Sequence, residues 1–145
     1  MEKYVYNAHA YEERYRKVYE AGADFWEEPV PTEALVKFLN NFGPTKGRKA
    51  LEMGCGEGRD SIYLAKIGFH VTGMDVSQSA IKHAKKRTKK EMVDIDFLVA
   101  NVANIPLKDD VFDLAVNVAC LQMLVDQGIR DKHLHETFKV LTHGG

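Results

Sequence analysis

Tyr11, Tyr15, Val18 and Tyr19 recur at helical spacing with Glu, Arg and Lys between them, which predicts an amphipathic helix over about residues 8–21 that ends at Gly22. Leu35, Val36, Phe38, Leu39 and Phe42 form a second stripe after Pro31, and Gly43-Pro44 stops it. Lys49 to Met53 is a short apolar run of strand type that breaks into Gly54, Gly56 and Gly58. The helical pattern over Arg59 to Lys66 should turn Ile62, Tyr63 and Ala65 toward a sheet, and Gly68 suits its left-handed cap. Phe69, Val71, Gly73 and Met74 make a second strand with Asp75 at its carboxyl end. A charged helix from Ser77 to about Lys90, a strand over Asp96 to Ala100 and a near-continuous apolar run from Val111 to Val118 follow. The last helix spans Asp126 to Leu141, with Ile129, Leu134, Phe138 and Leu141 expected inward and His133, His135 and His143 toward solvent.

Strands alternating with helices predict a doubly wound α/β fold with a parallel sheet in the order 3-2-1-4. The run from Val111 to Val118 reads as its fourth strand, covered on both faces. At 145 residues the chain is expected to form one domain, with residues 1–45 a helical cap on a core of residues 46–145. Apolar residues at 45%, charged ones at 28% and a net charge of -1 exclude a bulk polyanion binder. Cys55 and Cys120 lack metal-ligand spacing, and no histidine pair is backed by a carboxylate, so no metal site is expected. The polar N-terminus is unlike a signal peptide, and Asp113, Asn117 and Gln122 interrupt the longest apolar stretch, Val111 to Val125. A cytoplasmic protein with reduced cysteines and no membrane span is the expectation.

The candidate chemistry lies in the glycine turn, because a backbone without Cβ atoms lets a ligand approach closely. A dinucleotide fingerprint reads G-x-G-x-x-G, whereas here the third glycine comes one position early. Glu52 and Glu57 flank the turn, which disfavours a pyrophosphate and favours a cationic ligand. Asp75 stands at the end of the second strand, where such a fold places a ribose-binding acid. Its alternative role is a cap for the helix beginning near Ser77, although Ser77 itself is the better cap.

The pattern E-x-G-x-G-x-G with an acidic strand end resembles motif I of the class I S-adenosylmethionine-dependent methyltransferases. The longer run GCGEGRDSIYLAKIGFHVTGMDVSQSAI, Gly54 to Ile81, is similar to the tellurite-resistance and thiopurine-type members. The resemblance implies a Rossmann-like core, S-adenosylmethionine as cofactor, and methyl transfer by direct displacement to a small acceptor: a thiol, a metalloid oxyanion or another small metabolite. It places Glu52, Gly54, Cys55, Gly56, Gly58, Asp75, Val76, Asn101, Val102, Asn117 and Val118 at the cofactor. Asn101 stands where the family normally has an acid against the adenine amine; its amide oxygen retains the accepting role without the charge. Phe25 and Trp26 become candidates for a lid over the acceptor, and Cys120 and Gln122 for the acceptor pocket. A satisfied buried amide for Asn117 and a small core residue for Cys120 are equal alternatives. No single catalytic residue is implied.

Lys82, His83, Lys85, Lys86, Arg87, Lys89 and Lys90 make the densest charge run, which reads as the solvated face of a helix rather than a nucleic-acid surface because no aromatics interleave with it. Two rival functions are a cofactor-binding module or fragment without turnover and an RNA methyltransferase. Thr142-His143-Gly144-Gly145 resembles the turn that precedes strand five of the seven-stranded family fold, so the chain is expected to be C-terminally shortened relative to that fold. Its fourth strand would then be an edge, expected to be covered by a second copy in a homodimer or other oligomer, unless the chain is a gene fragment.

Overall fold

The structure is a computed structural model that describes residues 7–24 and 30–145; Phe25 and Trp26 fall outside them. Strands β1 (Lys49–Met53), β2 (His70–Asp75), β3 (Asp96–Val99) and β4 (Leu114–Asn117) form a parallel sheet in the order β3-β2-β1-β4. Helices α1 (Ala8–Glu20) and α2 (Glu33–Leu39) precede the sheet, α3 (Arg59–Lys66) and α4 (Gln78–Glu91) follow β1 and β2, and α5 (Gln127–Val140) follows β4 and a 3-10 turn at Leu121–Met123. This is the doubly wound order that the alternation predicts. β1 is central, in register with β2 from Lys49 opposite His70 and with β4 from Ala50 opposite Leu114.

The period of two along β1 divides the core. Ala50 packs with Leu35 and Leu39 of α2, Leu64 of α3, Val71 and Val116, while Leu51 and Met53 pack with Met74, Val102, Ile105, Leu124 and Val140 on the other face. Both flanks of β1 are thereby dry. Its carboxyl end opens beside β4, where the strand order reverses and open α/β sheets bind their ligands.

Several expectations fail in informative ways. β4 is four residues long rather than eight: Ala119, at φ +58°, lies just beyond its carboxyl end, and at the other end Val111 and Phe112 donate their N–H groups to Val140 O. On the outer side of β4 an isolated parallel bridge joins Phe112 to Leu141. α5 is rotated from the expected phase, with Leu134 53% and Phe138 79% exposed and His133 only 1% exposed. The reason is polar. His133 bonds Val102 O and Glu136 accepts from Ile105 N, so these groups face the sheet with Ile129 and Val140, while the more apolar stripe faces out. In α2, Phe38 is exposed against Phe42, and in α3 Ile62 is buried as expected together with Leu64, while Tyr63 and Ala65 are half-buried.

The basic face of α4 is not wholly solvated either. His83 and Arg87 are half-buried beneath α1: His83 stacks on Tyr19 at 4.5 Å and pairs with Asp24, and Arg87 pairs with Glu57 at 3.1 Å. α1 itself has no buried residue and is held by polar contacts. Glu12 accepts from Ser77 Oγ at 2.6 Å and Ser79 N at 3.1 Å, a carboxylate at the amino end of α4, and Tyr19 donates to Glu57 at 2.9 Å. Among the described residues no helix is long and apolar enough to cross a membrane.

Candidate cofactor site

The turn after β1 is shaped by what it approaches. Gly54 has φ +69°, and a Cβ there would lie 2.7 Å from Cys120 Cβ; Gly56 has φ +53°, and its Cβ would lie 2.8 Å from the Tyr15 hydroxyl. No other residue fits either position without displacing a neighbour. Gly58 serves packing instead, since its Cβ would meet Ala84 and Phe97 at 3.2 Å, and it caps α3.

Two cavities flank this turn. The larger, about 320 Å³, is lined by Glu52, Gly54, Cys55, Gly56 and Val118 together with Tyr11, Arg14, Tyr15 and Met123. The smaller, about 100 Å³, is lined by Asp75, Val76, Val102 and Cys120. Tyr11, Tyr15, Gly54, Ala119 and Met123 line both, so α1 roofs the junction. Ala119, in the left-handed region at φ +58°, marks local strain at the same junction.

Asp75 is buried at the end of β2 and accepts from Gly56 N and Ser77 N, each at 2.9 Å, which ties β2 to the glycine turn. A carboxylate has about four acceptor positions, so two remain for ligand hydroxyls. Burial holds its proton more tightly than usual, against the opposing pull of these backbone bonds. Ser77 is the cap, accepting from Ala80 N at 3.0 Å. Glu52 is buried on the α3 side of β1, where Ser61 Oγ donates to it; burial pushes its carboxyl up to about 8 despite that bond. Glu57 is held by Arg87 and Tyr19. The glutamates flanking the turn therefore do not act as two open charges, as the sequence suggested: one keeps its proton at neutral pH and the other is paired.

The remaining sequence candidates divide. Cys55 and Cys120 are free thiols at the cavities, burial pushing Cys55 up and Cys120 up to about 12, so both are protonated and not poised as nucleophiles. Asn101 is exposed and its Oδ1 accepts from Ala103 N at 2.9 Å; Asn117 bonds Leu121 N and His133; Gln122 is exposed. None of these three lines either cavity. Tyr11, Tyr15, Arg14 and Met123 line the pocket without belonging to any motif, and the aromatic stripe of α1 is the one signal of them in the sequence. Burial of the Tyr15 phenol beside Asp75 raises its pKa, so it remains a neutral hydroxyl. Among the described residues no group of three or more His, Cys, Asp or Glu is placed to hold a metal ion.

An open parallel sheet with a glycine turn at the end of one central strand, joined to a buried acid at the end of the next, defines a nucleoside-cofactor-binding α/β protein. A family model described as a methyltransferase domain matches residues 50–145. The chain belongs to the class I S-adenosylmethionine-dependent methyltransferases, and S-adenosylmethionine is the cofactor of that class. It is 33% identical over 99 residues to a probable S-adenosylmethionine-dependent methyltransferase of Mycolicibacterium smegmatis, a match covering 68% of this chain and 36% of the relative. It is 31% identical over 117 residues to norajmaline N-methyltransferase of Rauvolfia serpentina, covering 77% and 39%. A TehB-like S-adenosylmethionine-dependent methyltransferase from Corynebacterium glutamicum superposes with a TM-score of 0.64 at 26% identity, over 95% of this chain and 68% of that one. The chain thus spans well under half the length of these two sequence relatives.

Proposed function

We propose that the chain binds S-adenosylmethionine across the two cavities and transfers its methyl group to a small molecule. The observation that carries this reading is the bipartite cleft, in which one cavity holds the buried acid Asp75 and the other the buried Glu52, with the bare backbone of Gly54 and Gly56 between them. Asp75 takes the ribose hydroxyls, Val76 and Val102 enclose the adenine, and Glu52 accepts from the amino group of the methionyl portion. When bound, the cofactor would supply an activated sulfonium methyl group to the acceptor's lone pair, leaving S-adenosylhomocysteine.

This chain's residues contribute alignment and exclusion of water, which suffice for an already activated donor. Tyr11, Tyr15 and Met123 close the cleft, and the described part of residues 1–45, carrying α1 and α2, acts as a cap on the core at 46–145. The thiols of Cys55 and Cys120 and the Tyr15 hydroxyl stay protonated, which suits an acceptor nucleophilic in its own right. Soft acceptors such as thiols or metalloid oxyanions are supported by the resemblance over the run Gly54 to Ile81, and a small amine by the likeness to norajmaline N-methyltransferase. Two free thiols fit a reducing, cytoplasmic setting.

Radiolabelled methyl transfer measured on thiols, tellurite, selenite, small amines and RNA tests the proposal. Labelling of a thiol, a metalloid or an amine is the expected result. Labelling of RNA alone would replace the acceptor class, and cofactor binding with no transfer to any acceptor would favour a binding module.

A further inference from the structure

His133 is the most buried histidine of the described residues, and its hydrogen bonds fix its chemistry. Nδ1 lies 3.0 Å from Val102 O, an atom that can only accept, so Nδ1 carries the proton. Nε2 then carries a lone pair and accepts from Asn117 Nδ2 at 2.5 Å. The other end of the Asn117 amide agrees, since Oδ1 accepts from Leu121 N at 2.9 Å. One neutral tautomer satisfies all of these groups, and rotating the amide would set donor against donor at Leu121.

The chain of bonds crosses the fold. It runs from the loop after β3, through α5, to the carboxyl end of β4 and on to the 3-10 turn. One helical turn along α5, Glu136 accepts from Ile105 N at 2.9 Å, a second attachment to the same loop. Val102 lines the smaller cavity with Asp75 and Val76, and Leu124, at the end of the 3-10 turn, lines it as well. His133 touches neither cavity, yet it bonds to Val102 and, through Asn117, is linked to the turn that leads to Leu124.

We infer that His133 is a positioning residue for the cofactor's adenosine half, setting the width of the cavity between the Val102 loop and the 121–124 turn through its paired bonds to Val102 O and Asn117. The inference rests on the cofactor reading given above. The polar groups of His133 serve this role rather than its bulk: a leucine would fill the space and leave Val102 O and the Asn117 amide unpaired, whereas a glutamine offers one donor and one acceptor.

Affinity for S-adenosylhomocysteine and for adenosine, measured by calorimetry on the wild type, His133→Leu and His133→Gln, tests it, with thermal melting as a check on folding. Asn117→Leu and the double variant with His133→Leu complete a cycle. His133→Leu should weaken both ligands by about tenfold, and His133→Gln should restore most of the loss. In the cycle, the effects of His133→Leu and Asn117→Leu should be non-additive, because the two side chains share one bond. Equal affinities for wild type and His133→Leu would overturn the positioning role alone, as would an equal loss in His133→Gln and His133→Leu, which would mark a purely structural histidine. If His133→Leu does not fold, His133→Gln and Asn117→Leu still decide: near-wild-type affinity in the first with loss in the second supports the role, and loss in the first or retention in the second overturns it. No binding of either ligand by the wild type would overturn the cofactor reading and this inference with it.

Discussion

Glu52 carries a testable consequence of burial. Between its ordinary value of 4.5 and about 8, the folded chain keeps a proton on Glu52 that the unfolded chain has lost. The folded state therefore binds more protons in that window, and its stability falls as pH rises through it. A ligand amino group placed against Glu52 favours the ionised carboxylate and displaces that proton. Affinity for S-adenosylhomocysteine should consequently rise as pH approaches about 8 from below, by up to about tenfold per pH unit. Glu52→Gln cannot exchange a proton, so titration calorimetry across this range should show its slope reduced and its binding weaker near the top. Identical pH slopes in the two proteins would remove Glu52 from contact with the amino group.

At the scale of elements, α1 is attached to the body by side-chain hydrogen bonds, a ring stack and few apolar contacts. Glu12 supplies several of those bonds, to Ser77 and Ser79 at the amino end of α4. Glu12→Ala should release α1 at a cost of about 1–3 kcal/mol, the scale of hydrogen bonds to a charged group. Hydrogen exchange at Ala8–Glu20 should quicken while β1 and β2 keep their protection, and unchanged protection of α1 would show that other contacts hold it. Elements with one dominant signal were legible in the sequence: β1 with its glycine turn, α3 ended at Gly68, and Asp75 closing β2. α5 is ambiguous in the sequence because it carries two stripes at the same spacing. Leu134 and Phe138 are the more apolar pair, but hydrogen bonds through His133 and Glu136 orient the helix, and such bonds depend on a loop some 30 residues away. β4 is shorter than its apolar run for a related reason: apolarity alone does not record that Val111 and Phe112 pair with the end of α5. The glycine turn and the strand-end acid that line the candidate cleft, where backbone conformation suffices, were therefore legible as structure. The roof of that cleft was not, because Tyr11 and Tyr15 reach it only once α1 docks on α4.

The whole molecule joins a dry, central β1 to a cleft divided between Asp75 and Glu52, and its family assignment supplies the cofactor expected there. We propose that this cleft selects an adenosyl amino acid over a pyrophosphate-bearing nucleotide, since buried Asp75 lines it and Glu52, once ionised, would pair with a ligand ammonium and gain nothing from a pyrophosphate. Titration calorimetry of the wild type and Asp75→Ala with S-adenosylhomocysteine, NAD and ATP tests this most directly. One equivalent of S-adenosylhomocysteine should bind the wild type, and Asp75→Ala should weaken it by about tenfold to a hundredfold through the lost charged hydrogen bonds, with NAD and ATP silent in both. Tighter binding of NAD than of S-adenosylhomocysteine, or an affinity indifferent to Asp75, would contradict the account.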